Sequence, residues 1–220
     1  MKKKICLSWS GGRDSMVMLD RLAASPDWKP AALLTTLAEE EERVMMHDTP
    51  LSLLKKQAEA LSLPLLPVMM KQGPSNKEYE ARMRTALDSL YEQGVETVAF
   101  GDIFLADIKA YREEQMKATS LQPVFPLWGN TTSNLSREFI EKGYKAVLVC
   151  IDSSQLDPSF LGREYDEELL QDLPDGVDPC GENGEFHTFV YDGPLFGRAV
   201  PFEAEETIEK YGRFHYLHIK

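Results

Sequence analysis

Six residues near the N-terminus, Ser10-Gly11-Gly12-Arg13-Asp14-Ser15, combine residue types that suit the binding of phosphate. Two adjacent glycines reach positive φ and let backbone N–H groups approach an anion with no Cβ in the way. A helix that starts directly after them adds free N–H donors and the positive end of its dipole. The hydroxyls of Ser10 and Ser15 can donate further hydrogen bonds. Arg13 brings a permanent, bidentate positive charge that suits phosphate. Asp14 can either cap the helix or hold Mg2+. The plain alternative is a Gly-Gly turn between strand and helix, which the full hexapeptide in this context outweighs. The loop is not a Walker A sequence, because GxxxxGKS and GxxxxGKT are absent, and it is not the dinucleotide fingerprint GxGxxG.

The richest stretch for further chemistry is Asp178-Pro179-Cys180-Gly181-Glu182-Asn183-Gly184-Glu185-Phe186-His187-Thr188. Glycine-rich turns present functional groups free of helix constraints. Glu182 and Glu185 can bind an ammonium or amine, or act as a general base, and His187 can shuttle a proton. Cys180 has no base near it in sequence, so a contact role suits it better than nucleophilic attack. A solvated Asn-Gly hairpin is the competing reading. Gly101-Asp102-Ile103 follows an expected strand, which makes Asp102 a candidate Mg2+ or ribose ligand, with helix capping as the alternative. Arg112 suits a phosphate or carboxylate contact less well than a solvated helix face, and Trp128 suits core packing.

These residues need elements to carry them. Short aliphatic runs at 5–9, 31–37, 65–69, 95–100 and 145–151 read as strands. Amphipathic stretches at 15–24, 75–93, 107–120 and 132–142 read as helices. Thr49-Pro50 reads as an N-cap followed by proline at the first position of a helix that reaches about Leu61. Such alternation predicts an α/β fold with right-handed crossovers and a five-stranded parallel sheet, doubly wound, with helices on both faces. In such a sheet ligands bind beyond the carboxyl ends of the strands, so the Ser10–Ser15 loop and Asp102 share one edge. Pro, Gly and Asp become frequent after Asp152. The expected division is therefore 1–152 for the phosphate-binding unit and 153–220 for a smaller, partly antiparallel region.

Bulk properties narrow the partners. A formal net charge of −12 over 220 residues disfavours nucleic acid, which is held through a basic surface. Cys6, Cys150 and Cys180 form no CxxC pair, so neither a disulfide framework nor a zinc knuckle is supported, and a reducing, cytoplasmic compartment fits. No apolar run is long enough to span a membrane.

The hexapeptide resembles the pyrophosphate loop Ser-Gly-Gly-Lys-Asp-Ser of the N-type ATP pyrophosphatases, with Arg13 in place of lysine. The loop, Gly101-Asp102-Ile103, Tyr111-Arg112-Glu113, Pro126-Leu127-Trp128 and the Gly181-to-Thr188 segment occur in that order in the diphthine–ammonia ligase-like family. The chain resembles that family from about Lys4 to Phe196. The resemblance implies a PP-loop (HUP-type) fold and an enzyme that uses ATP and Mg2+. It would form an adenylate on a carboxylate, release pyrophosphate, and pass the acyl group to ammonia or an amine. Ser10, Gly11, Gly12, Arg13, Asp14, Ser15, Gly101 and Asp102 would bind nucleotide, with Asp14 and Asp102 also holding metal. Adenine would lie near Thr35, Thr36 and Leu37, with Met45-Met46-His47 as a lid and the Glu39–Glu42 run a solvated loop. Arg13, Asp14, Glu182, Glu185 and His187 would be catalytic. The acceptor is a carboxylate on a small molecule or a modified protein side chain, and a homodimer is an admissible assembly. The known ligases look as if they carry Gly-Glu-Gly-Gly-Glu-Tyr-Glu-Thr in the last motif, where this chain has Asn183, Phe186 and His187. Competing readings are an ATP or AMP sensor without turnover and a tRNA sulfur-transfer enzyme.

Overall fold

The computed structural model describes residues 1–71 and 76–220. Strand β1 (Lys3–Ser8) leads through the glycine loop into helix α1 (Arg13–Ala24), followed by β2 (Trp28–Ala38) and the short β3 (Arg43–Val44). Next come α2 (Leu51–Ala60), β4 (Leu65–Met70), α3 (Asn76–Glu92) and β5 (Thr97–Ala99). The chain continues through α4 (Ala106–Lys117), β6 (Gln122–Val124), α5 (Thr132–Glu141) and β7 (Lys145–Asp152). Helix α6 (Glu167–Asp172) and strands β8 (Phe186–Asp192), β9 (Ala204–Lys210) and β10 (Phe214–Ile219) complete it. The start of the helix expected at 75–93 lies partly outside the described residues, because Ser75 is not among them.

Five strands pair in parallel in the order β4-β2-β1-β5-β6, and β3 adds antiparallel to the tip of β2. The α/β class and the five-stranded parallel sheet are as expected, but one strand differs. Residues 145–151 do form a strand, β7, but it joins a second, antiparallel sheet in the order β8-β7-β10-β9. Its expected place is taken by β6, which is three residues long and contains Pro123. Proline is tolerated there because β6 is an edge strand. Asp152, where the sequence suggests a division, is the last residue of β7. Thr49 does not cap α2: Pro50 is the N-cap, and Thr49 is fully buried.

β1 alternates Ile5 and Leu7 toward one face with Cys6 toward the other, and all three are fully buried. One face packs on α1, α5 and the second sheet, and the other on α3 and α4. A strand buried on both sides reads as a continuous apolar run. The chain runs from β1 to β2 and β4 on one side, then crosses to β5 on the other. The order therefore reverses between β1 and β5, and their C-terminal loops open a crevice there. Among the described residues no helix is long and apolar enough to cross a membrane.

The second sheet is bolted onto the glycine loop. Val190 N donates to Gly11 O at 2.9 Å, and Arg13 N donates to Thr188 Oγ1 at 3.0 Å. Arg13 is only 1% exposed. Its guanidinium donates to the Tyr165 hydroxyl at 2.7 Å, to Pro179 O at 3.2 Å and to Cys180 O at 2.7 Å, and pairs with the Asp14 carboxylate. Burial opposes its charge, but Asp14, Cys180 and Tyr165 together outweigh that, so the guanidinium stays protonated. Removing one partner of a buried charge pair costs about 3–5 kcal/mol. Arg13→Ala should therefore lower the unfolding free energy by about that much in a urea titration with an unchanged slope, and Arg13→Lys by less. A loss below about 1 kcal/mol would show that this guanidinium does not hold the two sheets together.

Candidate active site

The loop takes its shape from what crowds it. Gly11 holds φ at +82°, and a Cβ there would lie 2.7 Å from Leu54 Cδ2. On Gly12 it would lie 2.9 Å from the Thr188 carbonyl oxygen. Gln57, fully buried, donates through Nε2 to Gly11 O at 3.0 Å and to Val190 O at 2.6 Å, and accepts from Trp9 Nε1 at 3.0 Å. Ser15 Oγ donates to Gly12 O at 2.9 Å and lies 3.3 Å from Ser10 Oγ. Ser10, Gly12, Asp14 and Ser15 face a cleft of about 620 Å³ at the C-terminal edge of the parallel sheet.

Across the switch point, Gly101 faces Asp14, and a Cβ on it would stand in ordinary contact, 3.5 Å from Asp14 Cβ. Asp102 accepts from Arg112 Nε at 2.8 Å, and that guanidinium lies 4.7 Å from the centre of the Phe100 ring. Arg112 is thus a partner of Asp102 within the cleft rather than a residue of a solvated helix face. Trp128 packs against Phe125 and under Lys109.

The 178–188 segment folds back onto this edge. Glu182 lines the cleft, and its Oε1 accepts from Ile103 N at 2.7 Å and Phe104 N at 3.3 Å. Burial pushes its carboxyl up to about 7, against the pull of those two donors, and the charges of Asp14 and Asp102 add to the rise. His187 lines the cleft beside His47, with ring centroids 4.3 Å apart.

Other expected positions stand elsewhere. Arg13 belongs to the cleft's lining, but its Nη1 and Nη2 are taken by Tyr165, Pro179, Cys180 and Asp14 and its Nε is buried, so the fork is not free to grip a phosphate. Glu185 is 2% exposed, and its carboxylate accepts from Asp178 N, Asn183 N and Asn183 Nδ2 at 2.9–3.0 Å. It closes the turn instead of meeting a substrate. Thr36 lines the cleft with Leu34, whereas Thr35 and Leu37 are buried off its lining, as strand alternation requires. Gly11 lies behind the loop, not on its open side. Cys6, Cys150 and Cys180 are buried, and burial pushes each thiol up to about 12.

Several residues of the site escaped the sequence analysis. Gln57 had a usable signal, since it stands on the apolar stripe Leu54-Gln57-Ala58-Leu61 of α2, where a polar side chain needs buried partners. Tyr165 had none. The α3 wall of the cleft, with Glu80, Met83 and Arg84, reads in sequence as an ordinary amphipathic helix.

A parallel α/β sheet with a glycine loop at its switch point places the chain in the class of open α/β folds whose ligand crevice lies at that point. Residues 2–122 match the diphthamide synthase N-terminal domain and residues 131–220 the diphthamide synthase C-terminal domain. The chain belongs to the diphthamide synthase family. It is 34% identical to the diphthine–ammonia ligase of Danio rerio over 69% of its length and 65% of that protein's. It is 31% identical to those of Homo sapiens and Bos taurus, over 69% of its length and 62% of theirs. The chain thus spans somewhat less than two thirds of these relatives. Among solved structures, the U34-tRNA thiolase NcsA of Methanococcus maripaludis aligns with a TM-score of 0.40 and 18% identity, over 64% of this chain and 58% of that one.

The environment of Glu182 makes a direct prediction. In metal-free, nucleotide-free protein its carboxyl should titrate near pH 7, as seen by carbon-detected NMR with Glu182→Gln to assign the signal. A carboxyl with a raised folded value favours folding below its unfolded value and loses that contribution as pH rises through 7. Wild type should therefore lose stability relative to Glu182→Gln between about pH 4.5 and 7. Titration near the ordinary glutamate value would contradict the burial.

Proposed function

We propose that this chain is an ATP-dependent, amide-forming ligase that cleaves ATP to AMP and pyrophosphate. The observation that carries the reading is convergence: the phosphate loop, Asp102 and Glu182 face one cleft at the switch point. The names of the relatives, diphthine–ammonia ligases, agree with it. The open side of the loop, from Gly12 into the first turn of α1, would bind the β- and γ-phosphates and stabilise the leaving pyrophosphate. A substrate carboxylate oxygen attacks the α-phosphorus and the bond to the β-phosphate oxygen breaks. Ammonia or an amine then attacks the acyl carbon, the single bond from that carbon to the phosphate-bound oxygen breaks, and AMP leaves with that oxygen. Glu182, ionised above its raised titration point, takes the proton that ammonium loses before attack, or that the amine nitrogen loses as it bonds to the acyl carbon.

The residues fit Mg2+. Among the described residues no group of three or more His, Cys, Asp or Glu forms a metal cage. Mg2+ commonly uses one or two carboxylates together with substrate phosphates, and Asp14 and Asp102 can supply those. When bound, the ion would offset phosphate charge in a cleft that already carries Asp14, Glu80, Asp102, Glu114 and Glu182 against Arg13, Arg84 and Arg112. Sulfur transfer is disfavoured, since each thiol is buried and held protonated. The acceptor is a carboxylate whose identity the cleft leaves open, on a small molecule or a protein side chain.

The test is incubation with magnesium ATP, an ammonium salt and candidate carboxylates, resolving AMP from ADP by chromatography. The ligase reading expects AMP and pyrophosphate in equal amounts, dependent on acceptor. Glu182→Gln should lower acceptor-dependent turnover about 10²- to 10⁴-fold while ATP still binds. Tight ATP binding with no AMP under any acceptor would favour a sensor, and ADP as product would refute the reading.

A further inference from the structure

ATP and a carboxylate are both anions, and this cleft is acidic. Carboxylates from Asp14, Glu80, Asp102, Glu114 and Glu182 line it, and burial keeps the imidazoles of His47 and His187 neutral. Among the described residues its cations are three arginines. Arg13 has Nη1 and Nη2 taken by Tyr165, Pro179, Cys180 and Asp14. Arg84 is exposed on α3 and makes no hydrogen bond or ion pair with a described residue, so nothing fixes its guanidinium.

Arg112 differs from both. Its Nε donates to Asp102 Oδ2 at 2.8 Å, and the guanidinium carbon lies 4.7 Å from the centre of the Phe100 ring. The Asp102 side chain is 11% exposed and that of Arg112 35%. A carboxylate therefore holds one flank of the guanidinium, and an aromatic ring supports one face. What remains is the edge made by Nη1 and Nη2, and neither has a hydrogen-bond partner among the described residues. A guanidinium fixed at one nitrogen and on a ring, with its fork uncommitted in a cleft, suits a bidentate anion. Asp102 gives only Oδ2 to this pair, and its Oδ1 accepts from no described residue.

Position decides which anion. The glycine loop enters the crevice from the β1 side, whereas Asp102 follows β5 and brings Arg112 in from the other. Glu182 is held on that same side, because its Oε1 accepts from Ile103 N and Phe104 N. A triphosphate with its β- and γ-phosphates on the loop spans the crevice with its α-phosphate toward Asp102 and Glu182.

We infer that Arg112, pinned by Asp102 and Phe100, is the α-phosphate ligand of this cleft, and that Nη1 and Nη2 donate to non-bridging oxygens of the α-phosphorus. This rests on the reading of the cleft as an ATP site. As a carboxylate oxygen bonds to the α-phosphorus, the bond to the β-phosphate oxygen breaks and its electron pair leaves with pyrophosphate. The guanidinium gives up no proton in that step. It offsets the charge on the non-bridging oxygens and the repulsion between the incoming carboxylate and the triphosphate. Pyrophosphate then leaves the loop while the α-phosphate stays, so Arg112 keeps hold of the acyl adenylate during the attack of the amine.

Calorimetric titration with AMP, adenosine and magnesium pyrophosphate tests it in wild type, Arg112→Met and Arg112→Lys. Methionine keeps an apolar contact for Phe100 and removes the fork. Wild type should bind AMP about tenfold more tightly than adenosine, or better. Arg112→Met should lose that preference, with adenosine and pyrophosphate affinities within about twofold of wild type. Arg112→Lys keeps the charge without the fork and should hold part of the preference. It carries the test if Arg112→Met melts early, because its preference must still fall below that of wild type. Wild type with no preference for AMP, variants that keep the full preference, or equal weakening of all three ligands would overturn the inference. The last result would mark Arg112 as structural. Wild type that prefers AMP through Arg112 but makes no AMP from ATP would sink the ligase reading and leave this one standing. Normal AMP formation with a full AMP preference in both variants would do the reverse.

Discussion

A fully buried guanidinium must find a partner for its charge and acceptors for its N–H groups, or it destabilises the fold that holds it. Arg13 finds them for Nη1 and Nη2 across the whole molecule, while its Nε is buried without a partner among the described residues. The carboxylate comes from its neighbour Asp14, the hydroxyl from Tyr165, and the two carbonyls from Pro179 and Cys180. The first residue of the helix that follows the phosphate loop is therefore tied to a segment more than 160 positions away in sequence. Gln57 does similar work behind the loop, joining Trp9, Gly11 and Val190 through one amide. Neither sheet can shift without breaking buried hydrogen bonds of the other.

What this buried network positions is a cleft with chemistry on two sides. The parallel sheet supplies the crevice between β1 and β5, and with it the loop and Asp102. The antiparallel sheet and its turn supply Glu182 and His187, and Lys210 and His218 of that sheet meet Asp48, the residue after His47. Glu182 is held by two backbone N–H groups of the Ile103–Phe104 loop, so it keeps a fixed place relative to the Asp102 side of the cleft. The same turn is closed internally by Glu185, which explains why two glutamates three residues apart take unrelated roles.

Much of this was legible in the sequence, and the reasons for the rest are physical. Apolar runs and glycine punctuation give the α/β class, the phosphate loop and the common edge with Asp102. They do not say which sheet a strand joins, because β7 is as aliphatic as a central parallel strand and pairs antiparallel only through contacts with 186–192 and 214–216. Arg13 reads as a phosphate ligand by charge and position. Its burial depends on Tyr165 and on two carbonyls, which no local pattern reveals. Glu185 and Glu182 look equivalent until backbone donors distinguish them. Thr35 and Thr36 differ only by strand alternation, which depends on knowing the register.

The central claim is that a nucleotide's phosphates sit on the open side of the Gly12–Ser15 loop, between the two sheets. A crystal structure with Mg2+ and an ATP analogue whose α–β bridge resists cleavage tests it most directly. The account predicts the β- and γ-phosphates on the amides from Gly12 into α1, the metal between Asp14, Asp102 and phosphate oxygens, and the α-phosphate open toward Glu182. Phosphates bound away from Gly12, or an α-phosphate turned away from Glu182, would contradict it.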